Sequence, residues 1–194
     1  MQDLILIGGG GHCKSCIDVI ESTKEYKIIG IFDTLDKVGQ KVLDYEIIGT
    51  DDDIEQYAKK NVKFLITLGQ IKSADLRKNL FNKVKAASGK FATIVSCKAY
   101  VSKHSKIGEG TIIMHNAIIN AGANIGENCI INTKTLIEHD CQVGNNCHIA
   151  VGAILAGGVI LGAESFVGAN ATVIQYLQLP ANSFVNAGSI IKNS

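Results

Sequence analysis

The sequence predicts two architectures in one chain: a small α/β domain with a parallel sheet over residues 1–94, then an all-β parallel coil over residues 95–194. Two observations carry this. In the first half, short apolar runs alternate with segments of helical spacing. In the second, an aliphatic residue returns at every sixth position from Val101 to Ile191 without a break.

Leu4 to Ile7 is a short apolar run that ends in Gly8-Gly9-Gly10-Gly11, and the segment from His12 to Ser22 then puts Cys16, Ile17, Val19 and Ile20 on one helical face. Lys27 to Phe32 reads as a second strand, closed by Asp33, and Val62 to Leu68 as a third, closed by Gly69-Gln70. Asp51 to Lys60 and Ala74 to Ala87 carry helical spacing. Strands separated by helices pair in parallel, because the chain crosses back before each new strand, so a small Rossmann-like sheet is expected. The glycine run keeps Gly8-x-Gly10 but lacks the third glycine of the dinucleotide fingerprint, which argues against a nicotinamide cofactor. What it leaves is a turn at a helix start, where backbone N–H groups can receive a phosphate or another anion.

The second half follows a different rule. Ile107, Ile113, Ile119, Ile125 and Ile131 begin a six-residue series that continues through Ile149, Leu155 and Val167. Four residues after each aliphatic position stands a mostly small residue, among them Ala117, Cys129, Thr135, Cys141, Cys147 and Ala153. Glycine often follows it directly, as at Gly108, Gly126 and Gly144. A helix repeats at 3.6 residues and a strand at two, so neither explains six. A prism wound from three short strands per coil does, with the aliphatic residue inward and the small residue near the corner. Residues eighteen apart then stack about 4.8 Å apart along the axis. Cys129 and Cys147 stack in this way and are read as interior filling rather than a bridge. The last coil needs a cap or a partner to cover it.

Composition removes several classes of function. Lys+Arg 19 against Asp+Glu 18 gives a net charge of +1, too little to neutralise a nucleic-acid backbone or an anionic membrane. The segment from Met1 to Ile7 has no basic leader, and no apolar run approaches the ~20 residues needed to cross a bilayer, so a cytoplasmic protein without membrane insertion is expected. The six cysteines should be thiols. Cys13-Lys-Ser-Cys16 has C-x-x-C spacing, but no second pair completes a zinc site, and no metal is expected. Packing at a helix start is preferred for it over a redox pair.

The hexads Ile125-Gly-Glu-Asn-Cys-Ile and Val167-Gly-Ala-Asn-Ala-Thr resemble those of the hexapeptide-repeat acyltransferases. That resemblance implies a left-handed coil, against the usual crossover rule, and homotrimers with active sites in the clefts between neighbouring β-helices. With the Gly-Gly-Gly-Gly-His opening, nearly the whole chain is similar to one branch of that family. The branch holds the bacterial N-acetyltransferases of UDP-linked 4-amino sugars, of the bacillosamine type, and the sialic acid O-acetyltransferases. The implied activity is acetyl transfer from acetyl-CoA to the 4-amino group of a nucleotide-linked amino sugar, in surface glycan biosynthesis. The alternatives are O-acetylation of sialic acid and a non-catalytic trimeric scaffold or regulator of a sugar pathway.

Such a transfer needs a base near neutral pH, and imidazole suits it. In Ile137-Glu-His-Asp-Cys, His139 occupies the position of the family's catalytic histidine, and the acidic residue that follows, Asp140, matches the one that orients it. Adjacent strand residues face opposite ways, so this pairing requires a corner; Glu138 is the second candidate. Gly157, eighteen residues after His139, should leave room there for a thioester. The column Val151, Ala169, Ala187, with Gly188 beside it, could carry a pantetheine arm, and the resemblance adds His148 to the acetyl-CoA contacts. It also matches Gly10, Gly11, His12, Asp33, Thr34 and Gly69 to contacts with the nucleotide sugar. Thr34 stands where many members carry a second acidic residue. Gln175 replaces a common proline, and after Val185-Asn-Ala-Gly-Ser-Ile-Ile the sequence reaches Ser194 without the family's Gly-x-Pro-Ala-Lys segment, so CoA is expected either to bind less tightly or to have its adenine end held differently. His104 and His115 are expected to be surface residues.

Overall fold

The computed structural model describes residues 1–193; Ser194 lies outside the described residues. The chain forms two compact units, one of Met1–Gly69 with Asp75–Ile94, the other of Gln70–Ala74 with the chain from Val95 onward. The five-residue excursion was not legible in the sequence. It packs with the second unit because Gln70 Nε2 donates to Asn146 O at 2.9 Å, while Gln70 O accepts from His148 Nδ1.

In the first unit β1 (Gln2–Ile7), β2 (Tyr26–Phe32), β3 (Lys41–Val42), β4 (Tyr45–Gly49), β5 (Lys63–Ile66) and β6 (Lys90–Phe91) form one sheet, in the order β3-β4-β2-β1-β5-β6. Every pairing is parallel except the β3–β4 hairpin. The hairpin has no sequence signature, since its turn uses Leu43 at φ 52° where Gly or Asn would announce one. Helices α1 (Gly11–Thr23), α2 (Ile54–Ala58) and α3 (Asp75–Ala86) complete the unit. The expected helix from Asp51 begins instead as a 3-10 turn, Asp51–Asp53, closed by a capping box between Thr50 and Asp53. Ile5, Phe32, Phe64 and Val84 are buried together in one core. Cys13 and Cys16 on α1 are fully buried as well, and burial pushes the Cys13 thiol up to about 11 and that of Cys16 higher still, so neither is a thiolate near neutrality.

The second unit is a stack of two-residue strands in three parallel sheets, with partners eighteen residues apart, such as Ile119 with Ile137 and Ile137 with Leu155. The aliphatic series lies inside with the small residues, in one core that holds Ile113, Cys129, Ile131, Cys147 and Leu155. The small position has a second task. Thr111, Cys129, Thr135, Cys141, Cys147 and Ser165 each donate a side-chain hydrogen bond to the carbonyl fifteen residues ahead. This satisfies the corner carbonyl of the next coil and explains why Cys, Ser and Thr recur beside Ala there. Cys147 also has its thiol pushed up, first by its hydrogen bond with Cys129 and then by burial.

Each corner turns through a residue in the left-handed region. From Gly110 to Gly188 every sixth residue has φ between 53° and 78°, and all but three are Gly, Asn or Asp. Those types tolerate this conformation best.

The prism's three faces differ. One points Lys106, Asn124, Gln142, Ile160 and Gln178 outward. A second points Ile112, Ile130, His148, Phe166 and Phe184 outward, and the first three of these are buried. The third presents Tyr100, Ile118, Leu136, Ile154, Thr172 and Ile190, with Tyr100, Ile118 and Ile190 exposed. Among the described residues no helix is long and apolar enough to cross a membrane.

Candidate active site

His139 and Asp140 fall in the corner after the strand Leu136–Ile137. Asp140 takes φ 61°, the left-handed position of its hexad, and this reversal swings its carboxylate back beside the preceding side chain. His139 Nδ1 lies 2.9 Å from Asp140 Oδ2. Glu138 turns elsewhere: its Oε2 accepts from the backbone N–H of His139 at 3.2 Å. Between the two acidic neighbours, geometry selects Asp140 as the partner of the ring. A carboxylate on Nδ1 favours the proton there and leaves the lone pair on Nε2.

The next coil fixes where the ring lies. A Cβ on Gly157 would sit 2.6 Å from His139 Nε2 and 2.7 Å from Cε1, well inside van der Waals contact. The missing side chain of Gly157 thus clears the imidazole itself. The backbone continues the ladder, with Gly158 N donating to His139 O at 2.8 Å.

The remaining coenzyme candidates are placed apart from this corner. Val151, Ala169 and Ala187 stack on the corner that precedes the third face, with Gly188 N donating to Ala169 O at 2.8 Å, whereas His139 and Gly157 lie on the corner that follows it. Within one chain the two sets occupy opposite edges of that face. His148 is 7% exposed, its Nδ1 donating to Gln70 O and its Nε2 lying 3.1 Å from Asn132 Nδ2. Both ring nitrogens are engaged within the unit, so its position beneath the 70–74 strap differs from that of an open coenzyme contact. His104 is exposed as expected, but His115 is half-buried and bonded through Nδ1 to Ser96 Oγ.

In the first unit, the sheet order reverses at β1, with β2 on one side and β5 on the other, the kind of place where open α/β sheets take ligands. A cavity of 440 Å³ opens there, lined by Gly8, Phe32, Asp33, Thr34, Leu35, Thr50, Asp51, Asp52, Leu68 and Leu76 among others. Of the expected substrate residues it includes Asp33 and Thr34. Gly10 and Gly11 stand at the α1 N-terminus with open space where a side chain would be, and Gly69 packs against His12 Cβ at 3.8 Å. Asp33 joins the two groups by accepting from Gly9 N at 2.6 Å. Burial raises the Asp33 carboxyl, but hydrogen bonds from Thr34 N, Lys37 Nζ and Gly9 N outweigh it and hold the group below the usual carboxylate range. Arg77, buried, donates to Ile66 O and Leu68 O and so fixes the loop after β5. Leu35, Thr50, Leu68 and Leu76 escaped the sequence reading because no local pattern marks residues that meet only when separate loops converge.

The same two-part organisation appears in known proteins. Residues 3–84 match the PglD N-terminal domain, and residues 104–139 and 140–175 match the bacterial transferase hexapeptide model of six repeats. The UDP-N-acetylbacillosamine N-acetyltransferase of Bacillus subtilis is 33% identical over 116 residues, which is 59% of this chain and 52%, about half, of that relative's length. The acetyltransferase domain of PglB from Neisseria gonorrhoeae FA1090, in complex with acetyl coenzyme A, superposes with a TM-score of 0.92 at 26% identity, covering 99% of this chain and 91% of that one. PerB from Caulobacter crescentus, in complex with CoA and GDP-perosamine, gives a TM-score of 0.91 at 29% identity over 100% of this chain and 90% of its own. The PglD N-terminal domain and hexapeptide-repeat matches, with these superpositions, show the fold: an α/β domain ahead of a left-handed parallel β-helix of hexapeptide repeats.

Proposed function

We propose that the protein transfers an acetyl group from acetyl-CoA to the 4-amino group of a nucleotide-linked amino sugar. The observation that carries this is the His139 ring, bonded at Nδ1 to Asp140 and seated on Gly157. Nε2 removes a proton from the sugar amine as its nitrogen attacks the thioester carbonyl. The tetrahedral oxyanion, held by backbone N–H groups of the corner, collapses and expels the CoA thiolate, which takes its proton from the imidazolium. No acyl-enzyme is formed. The similarity to a relative bound to acetyl coenzyme A and to another bound to CoA and GDP-perosamine supports both co-substrates.

In this reading the first unit binds the nucleotide. The α1 N-terminus at Gly10, Gly11 and His12 receives the diphosphate, while Asp33, Thr34 and the cavity beside them take the nucleoside.

The working form is a homotrimer. The third face of the prism leaves Tyr100, Ile118 and Ile190 exposed with half-buried Leu136 and Ile154 between them, which is costly for a monomer, and it is bordered on its two edges by His139 and by the column Val151, Ala169, Ala187. A neighbouring copy docked there would bring one edge against the other and complete an acetyl-CoA site with Ala169, Ala187 and Gly188. Ile118→Lys, which puts a charge on an exposed apolar position of that face, is expected to release monomers in sedimentation velocity and to abolish activity. A variant that stays trimeric would remove this face from the interface.

The activity is tested by offering UDP-, dTDP- and GDP-linked 4-amino sugars and free sialic acid with acetyl-CoA, scoring CoA release and a mass gain of one acetyl group. One of the nucleotide-linked amino sugars is expected to be acetylated. Acetylation of sialic acid alone, or folded protein with no turnover of any acceptor, would overturn the reading.

A further inference from the structure

Tyr176 is out of place in its hexad. The left-handed corner positions are filled by Gly, Asn or Asp except at Lys134, Glu164 and Tyr176, and Tyr176, at φ 60°, is the aromatic one. A bulky side chain in this region is strained, and such a residue persists where something else is gained. Its side chain is 72% exposed, so the interior gains little from it.

The ring has a defined resting place. A Cβ on Gly158 would lie 2.5 Å from Tyr176 Cδ1 and 2.7 Å from Cε1, so the Cδ1–Cε1 edge of the phenol ring packs against Gly158. Gly157, the neighbouring residue, is covered in the same manner by His139, from the coil on the other side. Two rings thus converge on two successive glycines whose Cα atoms are ~3.8 Å apart, the imidazole reaching them from one coil before and the phenol from one coil after. The column Gly122, Asp140, Gly158, Tyr176, eighteen residues apart throughout, puts Tyr176 two coils beyond the carboxylate that orients the base. Tyr176 N also donates to Gly157 O at 2.9 Å, which ties the two levels together.

We infer that Tyr176 is a binding residue for the coenzyme, its ring forming the wall along which the pantetheine arm of acetyl-CoA approaches His139. This rests on the proposed acetyl transfer. Tyr176 lies at the axial level between Ala169 and Ala187, the coils assigned to the coenzyme track. Ile160, also exposed, lies on the strand that follows the Gly157-Gly158 corner. A largely apolar arm gains from an aromatic face of this kind, and holding it there brings the thioester to Nε2.

Tyr176→Asn tests this, because asparagine is the residue the corner otherwise uses and relieves the backbone strain. The variant should fold and melt at or above the wild-type temperature. CoA affinity by isothermal titration, which needs no acceptor, is expected to fall about tenfold, and the KM for acetyl-CoA to rise by the same factor, with the amino-sugar KM within about twofold. Tyr176→Phe keeps the ring and should recover most of that loss. Unchanged CoA affinity in the Asn variant, a rise confined to the amino-sugar KM, or dissociation of the oligomer would each overturn the assignment. A wild-type protein that binds CoA but acetylates none of the amino sugars would sink the proposed acceptor while leaving the Tyr176 comparison intact.

Discussion

His139→Ala is expected to lower kcat by about 10³-fold or more, the scale of a lost general base, while leaving the melting temperature and the oligomer unchanged. The ring is about half exposed and contributes nothing to the buried core, so its removal should not unfold the corner. The carboxylate of Asp140 and the peptide of Glu138 remain, but neither can take the proton at the place where Nε2 stood. CoA release measured with a thiol reagent, beside a thermal melt, checks this. Turnover within tenfold of wild type would remove His139 from the chemistry and leave the β-helix without an assigned base.

Gly157→Ala should also slow the reaction, by a smaller factor, without touching any reacting group. The added methyl would overlap Nε2 and Cε1 of His139, and the imidazole is the part free to move. Gly157 is not among the positive-φ residues, so alanine can adopt its backbone conformation. The fold should survive and the ring should swing off its seat. A displacement of about 1 Å at a catalytic group costs on the order of 100-fold, which is the fall expected in kcat, with little change in the KM for acetyl-CoA. A variant that keeps the wild-type rate would show that the ring's seat on the glycine is not part of the active arrangement.

These two residues show how far a sequence of this kind can be read. The eighteen-residue stacking alone puts Gly157 above His139, because in a coil of three hexads vertical neighbours follow from counting. Counting could not say what the missing side chain makes room for. That depended on the rotamer of His139, which is set by Asp140 turning through φ 61°. The alternative of Glu138 was open in the sequence for the same reason. Adjacent acidic residues on both sides are equivalent on paper, and only the corner geometry separates a bond to the ring from a bond to the backbone.

The sequence by itself determined the parallel coil, its axial register and the strand-helix alternation ahead of it, since these arise from local periodicity and from short-range turn chemistry. The tertiary structure decided where unrelated stretches meet. The 70–74 strap takes His148 out of the open surface through Gln70. The cavity beside Asp33 draws its wall from Leu35, Thr50, Leu68 and Leu76. The left-handed corner turns Asp140 toward His139 and lays Tyr176 on Gly158. Each is a contact between side chains whose positions depend on packing in three dimensions, and a one-dimensional period carries no information about it.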